Sequence, residues 1–166
     1  HGKFFFDEVD IADPGPAEVR VRIKASGVCH TDWDTMRCGR TIILGHEGAG
    51  VVDRVGPGVD HVKEGDRVLL NWAIPCGQCF QCRRGAENIC ENKPQVPRER
   101  FRHNGRTVDP SFRLGTMAQL ALVPGQAVVP IPDDNPIPFE SACIIGCGVM
   151  TGVGSVWNAA RVEEGS

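Results

Sequence analysis

Apolar and polar positions alternate most clearly in PGPAEVRVRIKASGVC. There Val19, Val21 and Ile23 interleave with Arg20, Arg22 and Lys24. A period of two is the pattern of a strand buried on one face, so this segment predicts a turn followed by a half-buried strand. AGVVDRVGPGV predicts a second strand closed by a glycine-rich turn, and KEGDRVLL a turn and a third strand. AQLALVPGQAVVPIP predicts two short strands around a proline–glycine corner. The FFF run at 4–6 reads as a strand or its packed start. Residues 75–113 lack a sustained period and predict a long irregular excursion, which a compact domain tolerates only when something anchors it. After Pro138 the pattern changes: PFESACIIGCGVMTGVGSVWNAARV has few turn signals, with a helix start near Pro138 and a helical stretch from about 151 to 161.

Composition narrows the class. The chain has 166 residues, 41% of them apolar, with 20 glycines, 12 prolines and no tyrosine. This suits one domain of ordinary size with many tight turns. A net charge of −3 gives no electrostatic case for nucleic acid. No uninterrupted apolar run approaches the roughly 18 residues of a membrane span, so no membrane partner is expected. The first ten residues lack the apolar core and cleavage site of a signal peptide.

The eight cysteines carry the chemistry. Cys76, Cys79, Cys82 and Cys90 lie in CGQCFQCRRGAENIC, with gaps of two, two and seven residues. That spacing brings four soft thiolates around one small cation. Disulfides are the competing reading, but CxxCxxC favours metal, and a reducing compartment keeps thiols free. The cytoplasm is the expected location. A four-thiolate site closes the shell of a zinc ion, so this cluster predicts a staple for the excursion rather than a reactive centre.

A second constellation is Cys29, His46 and Cys147, with Glu47 beside His46. Spacing alone does not unite them, and a buried structural cysteine is the commoner reading of any one thiol. Cys29 follows a strand in the polar segment CHTD. His46 in GHEGAG and Cys147 in GCGVMTG have small neighbours that permit close approach.

GHEGAGVV, GDRV, CGQCFQCRRGAENIC and GCGVMTG occur in the order found in one family. Over nearly all of residues 8–166 the chain closely resembles the catalytic domain of the zinc-containing alcohol dehydrogenases, in the medium-chain dehydrogenase/reductase family. The resemblance implies a mainly β fold with short helices: a GroES-like, largely antiparallel β barrel over residues 1–150, with the structural zinc lobe at about 75–113. Residues 151–166 would then form a helix leading toward a Rossmann nucleotide-binding domain that this sequence lacks. Two zinc ions are implied, one structural at the four cysteines and one catalytic at Cys29, His46 and Cys147, where the fourth position admits water or the substrate oxygen. NAD or NADP would serve in the full-length enzyme.

The resemblance assigns further roles. Asp32 would orient His46 by accepting its far ring N–H, although an aspartate there also reads as a helix cap. Thr31 would pass the alcohol proton outward. A relay histidine often stands three positions later, and this chain has Asp34 there instead. Glu47 would lie behind the zinc and shift its electrostatics; a solvated glutamate is the plainer reading. His30 would touch the cofactor pyrophosphate and Thr151 would lie near the nicotinamide. Trp72 would wall the substrate pocket, with Trp33, Leu114 and Met117 as weaker candidates. Cys38 reads as a free loop thiol and Cys143 as a buried helix cysteine. The span from Cys29 to His46 is several residues shorter than usual for the family. The implied activity is hydride transfer between a primary alcohol/aldehyde pair and NAD(P), in a homo-oligomer. The fragment alone is expected to be inactive. A formaldehyde/thiol-adduct dehydrogenase and a non-catalytic zinc-stabilised GroES-like module are the alternatives.

Overall fold

A computed structural model describes residues 3–92, 98–134 and 137–166. The part of the expected lobe at 93–97 lies outside the described residues. Ten strands are described: β1 (Asp10–Ile11), β2 (Glu18–Gly27), β3 (Ile42–Ile43), β4 (Glu47–Val55), β5 (Arg67–Leu70), β6 (Phe101–His103), β7 (Arg106–Thr107), β8 (Asp109–Pro110), β9 (Leu120–Pro124) and β10 (Val128–Pro130). The main sheet runs β10-β5-β4-β2-β9 with every pair antiparallel. It curls into an open half-barrel of GroES-like form. A small β1-β6-β7 sheet and a parallel β3–β8 pair complete the strands.

The alternation in β2 works as the pattern predicts. Val19 and Val21 are fully buried, while Arg22 and Lys24 are exposed. With Val52, Val68, Leu70, Leu114, Ala121 and Val123 they form the main core. Fully burying a valine or leucine contributes about 1.5–3 kcal/mol, so this cluster holds the sheet's curl. On the outer face, Asp53 joins β4 to β2 by accepting from Arg20 Nε and Arg22 Nη2, each at 2.6 Å. The β2–β4 register shifts between Arg20 and Val21, beside this pair.

Two expectations need correction. Phe4, Phe5 and Phe6 form no strand and are exposed, Phe6 to 92%. The rings of Phe4 and Phe6 meet edge-on at 5.2 Å, and that of Phe5 lies 6.1 Å from the His103 ring of β6. The helices are also not all short. Besides α1 (His30–Met36) and α2 (Phe80–Arg83), one helical run, α3, spans Phe139–Ala160, 22 residues with π-helical turns at Ile145–Val149 and Ser155–Ala160. Pro138 N-caps it. Gly146, within it, seats the helix against the sheet. By length and mean hydropathy alone this run would suffice to cross a membrane, although polar residues such as Glu140 and Asn158 interrupt it. Its first turn packs Ala142 and Cys143 against Ala49 and Ile131. Its later face leaves Val149, Met150, Val153, Val156 and Trp157 exposed.

Candidate metal centres

The β2–β4 ladder assembles the first half of one centre. Gly27 pairs with Glu47 at the end of the register, which sets Cys29 beside His46. A Cβ on Gly27 would lie 2.1 Å from Glu47 Oε2, so only glycine leaves the carboxylate its place. Cys147 arrives from α3. A Cβ on Gly146 would meet the Leu70 carbonyl oxygen at 2.2 Å, so the helix lies against the end of β5 as closely as two backbones allow. The ligand atoms of Cys29, His46, Glu47 and Cys147 lie within 4.8 Å of one another.

Asp32 does two jobs at once. Its Oδ2 accepts from the Cys29 N–H at 3.0 Å, tying down the start of α1. Its Oδ1 accepts from the Gly45 N–H at 3.2 Å and lies 3.2 Å from His46 Nδ1. Both side chains are buried. A carboxylate at Nδ1 favours the tautomer with its proton there, which leaves Nε2 as a free lone pair. That nitrogen faces Cys147 Sγ at 3.6 Å. Ligand bonds of about 2.3 Å to sulfur and 2.0–2.1 Å to nitrogen at tetrahedral angles require a similar separation. The donor set therefore fits zinc. Burial, then Glu47, then Cys29 push the Cys147 thiol up to about 12, so a cation that binds here must displace its proton.

The four-cysteine centre is built locally. Cys79 caps α2, its sulfur accepting from the Cys82 N–H at 3.5 Å. Cys76 Sγ accepts from the N–H groups of Gln78 and Cys79, and Cys90 Sγ from that of Cys76. The sulfurs of Cys79 and Cys82 are 3.5 Å apart, Cys79 and Cys90 3.9 Å, and Cys76 and Cys82 4.0 Å. Tetrahedral zinc–sulfur bonds place sulfurs about 3.8 Å apart, so this set also fits zinc. Backbone N–H groups of Cys82 and Glu91 hold the Cys79 thiol down to about 6. Burial, with Cys79 beside it, pushes Cys82 up to about 12. One thiolate forms readily while the next resists, until a cation draws both.

The remaining expected residues scatter around the first centre. Thr31 Oγ1 lies 3.7 Å from Cys29 Sγ. His30 is exposed and pairs with Asp34 at 3.4 Å. Thr151 is exposed on α3, one turn beyond Cys147. Trp33 is 59% exposed, whereas Leu114 is fully buried in the main core. Trp72 packs on that core. Cys38 is exposed and Cys143 buried, as read. Phe112 was not expected. Its ring lies 4.7 Å from the His46 ring and 5.4 Å from that of Trp72. A lone phenylalanine in SFRLG carries no spacing signal that would have revealed it.

Residues 15–133 match the alcohol dehydrogenase GroES-like domain family. The chain belongs to this family. It is 37% identical to alcohol dehydrogenase B of Mycobacterium tuberculosis over 172 aligned positions, covering 96% of the chain and 45% of that relative. Its identity to the S-(hydroxymethyl)glutathione dehydrogenase of Escherichia coli is also 37%, over 95% of the chain and 46% of the relative. Among solved structures, an alcohol dehydrogenase zinc-binding domain protein from Burkholderia ambifaria superposes with a TM-score of 0.83 at 32% identity, over 95% of this chain and 46% of that one. Benzyl alcohol dehydrogenase from Acinetobacter calcoaceticus gives 0.76 at 31%, over 93% and 44%. The GroES-like chain thus spans about half the length of these relatives.

Proposed function

We propose that the protein to which this GroES-like chain belongs transfers a hydride between a primary alcohol/aldehyde pair and NAD(P), using Cys29, His46 and Cys147 to hold the reactive zinc. The observation that carries the reading is the buried Asp32–His46 pair, which turns Nε2 toward Cys147 Sγ. A scaffold needing only a staple has no use for it. Bound there, zinc supplies Lewis acidity toward the substrate oxygen. Asp32 fixes the His46 ring and tautomer. Thr31 takes up the alcohol proton and passes it outward, with Asp34 in place of a relay histidine. Glu47 adds negative charge behind the centre. Trp72, joined by Phe112, walls the pocket; Trp33 borders it, and Leu114 supports the wall from within the core.

His30 and Thr151 face solvent and would meet the cofactor. The exposed apolar face of α3 suits packing against a nucleotide-binding half, consistent with relatives about twice as long. No Rossmann unit lies among the described residues, and the half-barrel fits the expected antiparallel barrel with an edge left open. A homo-oligomer in the cytoplasm belongs to the same reading. The second reading, oxidation of a formaldehyde–thiol adduct, draws on the equal identity to S-(hydroxymethyl)glutathione dehydrogenase. Steady-state assays of the longer protein with benzyl alcohol, ethanol and S-(hydroxymethyl)glutathione, each with NAD and NADP, separate the two. Turnover by this chain alone at the rate of the longer protein would overturn the division of labour. One bound zinc and no turnover by the longer protein would leave a scaffold.

A further inference from the structure

Two glycines flank the His46–Glu47 pair, and both lie against one side chain. A Cβ on Gly45 would meet Thr116 Oγ1 and the Met117 nitrogen, each at 2.5 Å, and a Cβ on Gly48 would meet Thr116 Cγ2 at 2.5 Å. Gly45 also has φ +94°, which glycine adopts without strain. Thr116 is fully buried. Its N–H donates to the Gly45 carbonyl at 3.1 Å, and the Met117 N–H donates to that of Leu44 at 2.9 Å. Gly45 is held from its other side as well, since its own N–H donates to Asp32 Oδ1. Phe112, from the same segment as Thr116, sets its ring 4.7 Å from that of His46.

The Thr116 side chain reaches the second arm of the centre. Its hydroxyl shares a hydrogen bond of 2.8 Å with that of Ser26, next to last in β2 and three residues before Cys29. Ser26 faces Gly48 across the β2–β4 register. A buried hydroxyl is costly without a partner, and each of these two can donate or accept. Backbone groups alone satisfy the sheet pairing. The hydroxyl bond therefore adds a side-chain tie between the strand that delivers Cys29 and the turn that delivers His46.

We propose that Thr116 is a positioning residue for the Cys29, His46 and Cys147 centre: through Ser26 its hydroxyl sets the spacing of the Cys29 and His46 arms. The proposal rests on the reading of those three residues as a metal site. Donors already held near the spacing an ion requires lose less freedom when it binds, so the tie raises affinity. Thr116 acts through the backbones of the two arms and not as a ligand.

The test measures zinc affinity at each centre of the longer protein by competition with graded chelators, alongside cobalt(II) spectra. The bands that Cys147→Ser abolishes belong to the His46 centre. Thr116→Val keeps the branched shape and removes the hydroxyl; Thr116→Ser keeps the hydroxyl and removes the methyl. The valine variant should weaken the His46 centre about fivefold and shift its cobalt bands, and the serine variant should stay within about twofold of the parent. Ser26→Ala should match Thr116→Val, and the double variant should fall no further than either. The four-cysteine affinity should not move. Unchanged affinity in Thr116→Val overturns the inference, as does an equal fall in Thr116→Ser, which would leave only the packing of the methyl. An equal fall at both centres would mark general loosening and overturns it too. No metal at the His46 centre of the parent overturns it together with the reading beneath it. If Thr116→Val does not fold, Ser26→Ala decides, and unchanged affinity there overturns the proposal.

Discussion

The two metal centres use similar donors and are assembled in opposite ways. Cys76, Cys79, Cys82 and Cys90 come from one loop, and α2 with its neighbouring N–H groups brings their sulfurs close. Cys29, His46 and Cys147 come from the start of α1, the start of β4 and the middle of α3. The β2–β4 register, the Asp32 carboxylate and the seat of Gly146 on β5 bring those three together. The first centre organises its own surroundings; the second depends on the finished half-barrel. A local metal site therefore contributes folding energy directly, whereas a dispersed one is a product of folding.

The largest expected effect comes from removing one ligand of each. Cys82→Ser should lose the lobe's metal and lower stability by at least about 3 kcal/mol, read by urea unfolding and metal analysis. Cys147→Ser should also lose one metal per chain, yet cost less than about half as much. Equal losses of stability would break the contrast.

A smaller effect sharpens it. Asp32→Asn should weaken metal binding at the His46 centre about 10–100-fold, because the amide cannot hold the ring as a carboxylate does. Competition with a graded series of chelators measures this. The four-cysteine affinity should not move, and a parallel fall there would show the centres to be one cooperative unit.

The smallest effect leaves both centres alone. The guanidinium of Arg20, with Arg22 beside it, holds the Asp53 carboxyl below the usual carboxylate range. Its contribution is full above the ordinary value near 3.9 and is lost as pH falls through the depressed one. Asp53→Asn should therefore cost about 1 kcal/mol at pH 7 and progressively less in acid, by urea unfolding across pH. Metal content should stay unchanged.

Much of this could be read from residues alone because some signals are local. The alternation in β2 and the CxxCxxC spacing each state their own geometry. The trio needed a family resemblance, since nothing between 29 and 147 encodes a meeting of Cys29 with Cys147. Phe112 was hidden for a related reason: its role depends on left-handed backbone that no residue near it requires. The FFF run misled because hydrophobicity does not supply a partner strand. The service of one α3 glycine, Gly146, was equally silent, because contact with the sheet is set by the finished fold.

That glycine, Gly146, has a consequence for the size of ion that the Cys29, His46 and Cys147 centre admits. Main chain rests on main chain where α3 meets Leu70, so Cys147 approaches the site against a hard stop rather than a spring. No rotamer change in a neighbour can deepen or relax that approach. An ion of larger radius, such as cadmium, must gain its room from the Cys29 and His46 side. The centre is adjustable along one wall and calibrated by the other.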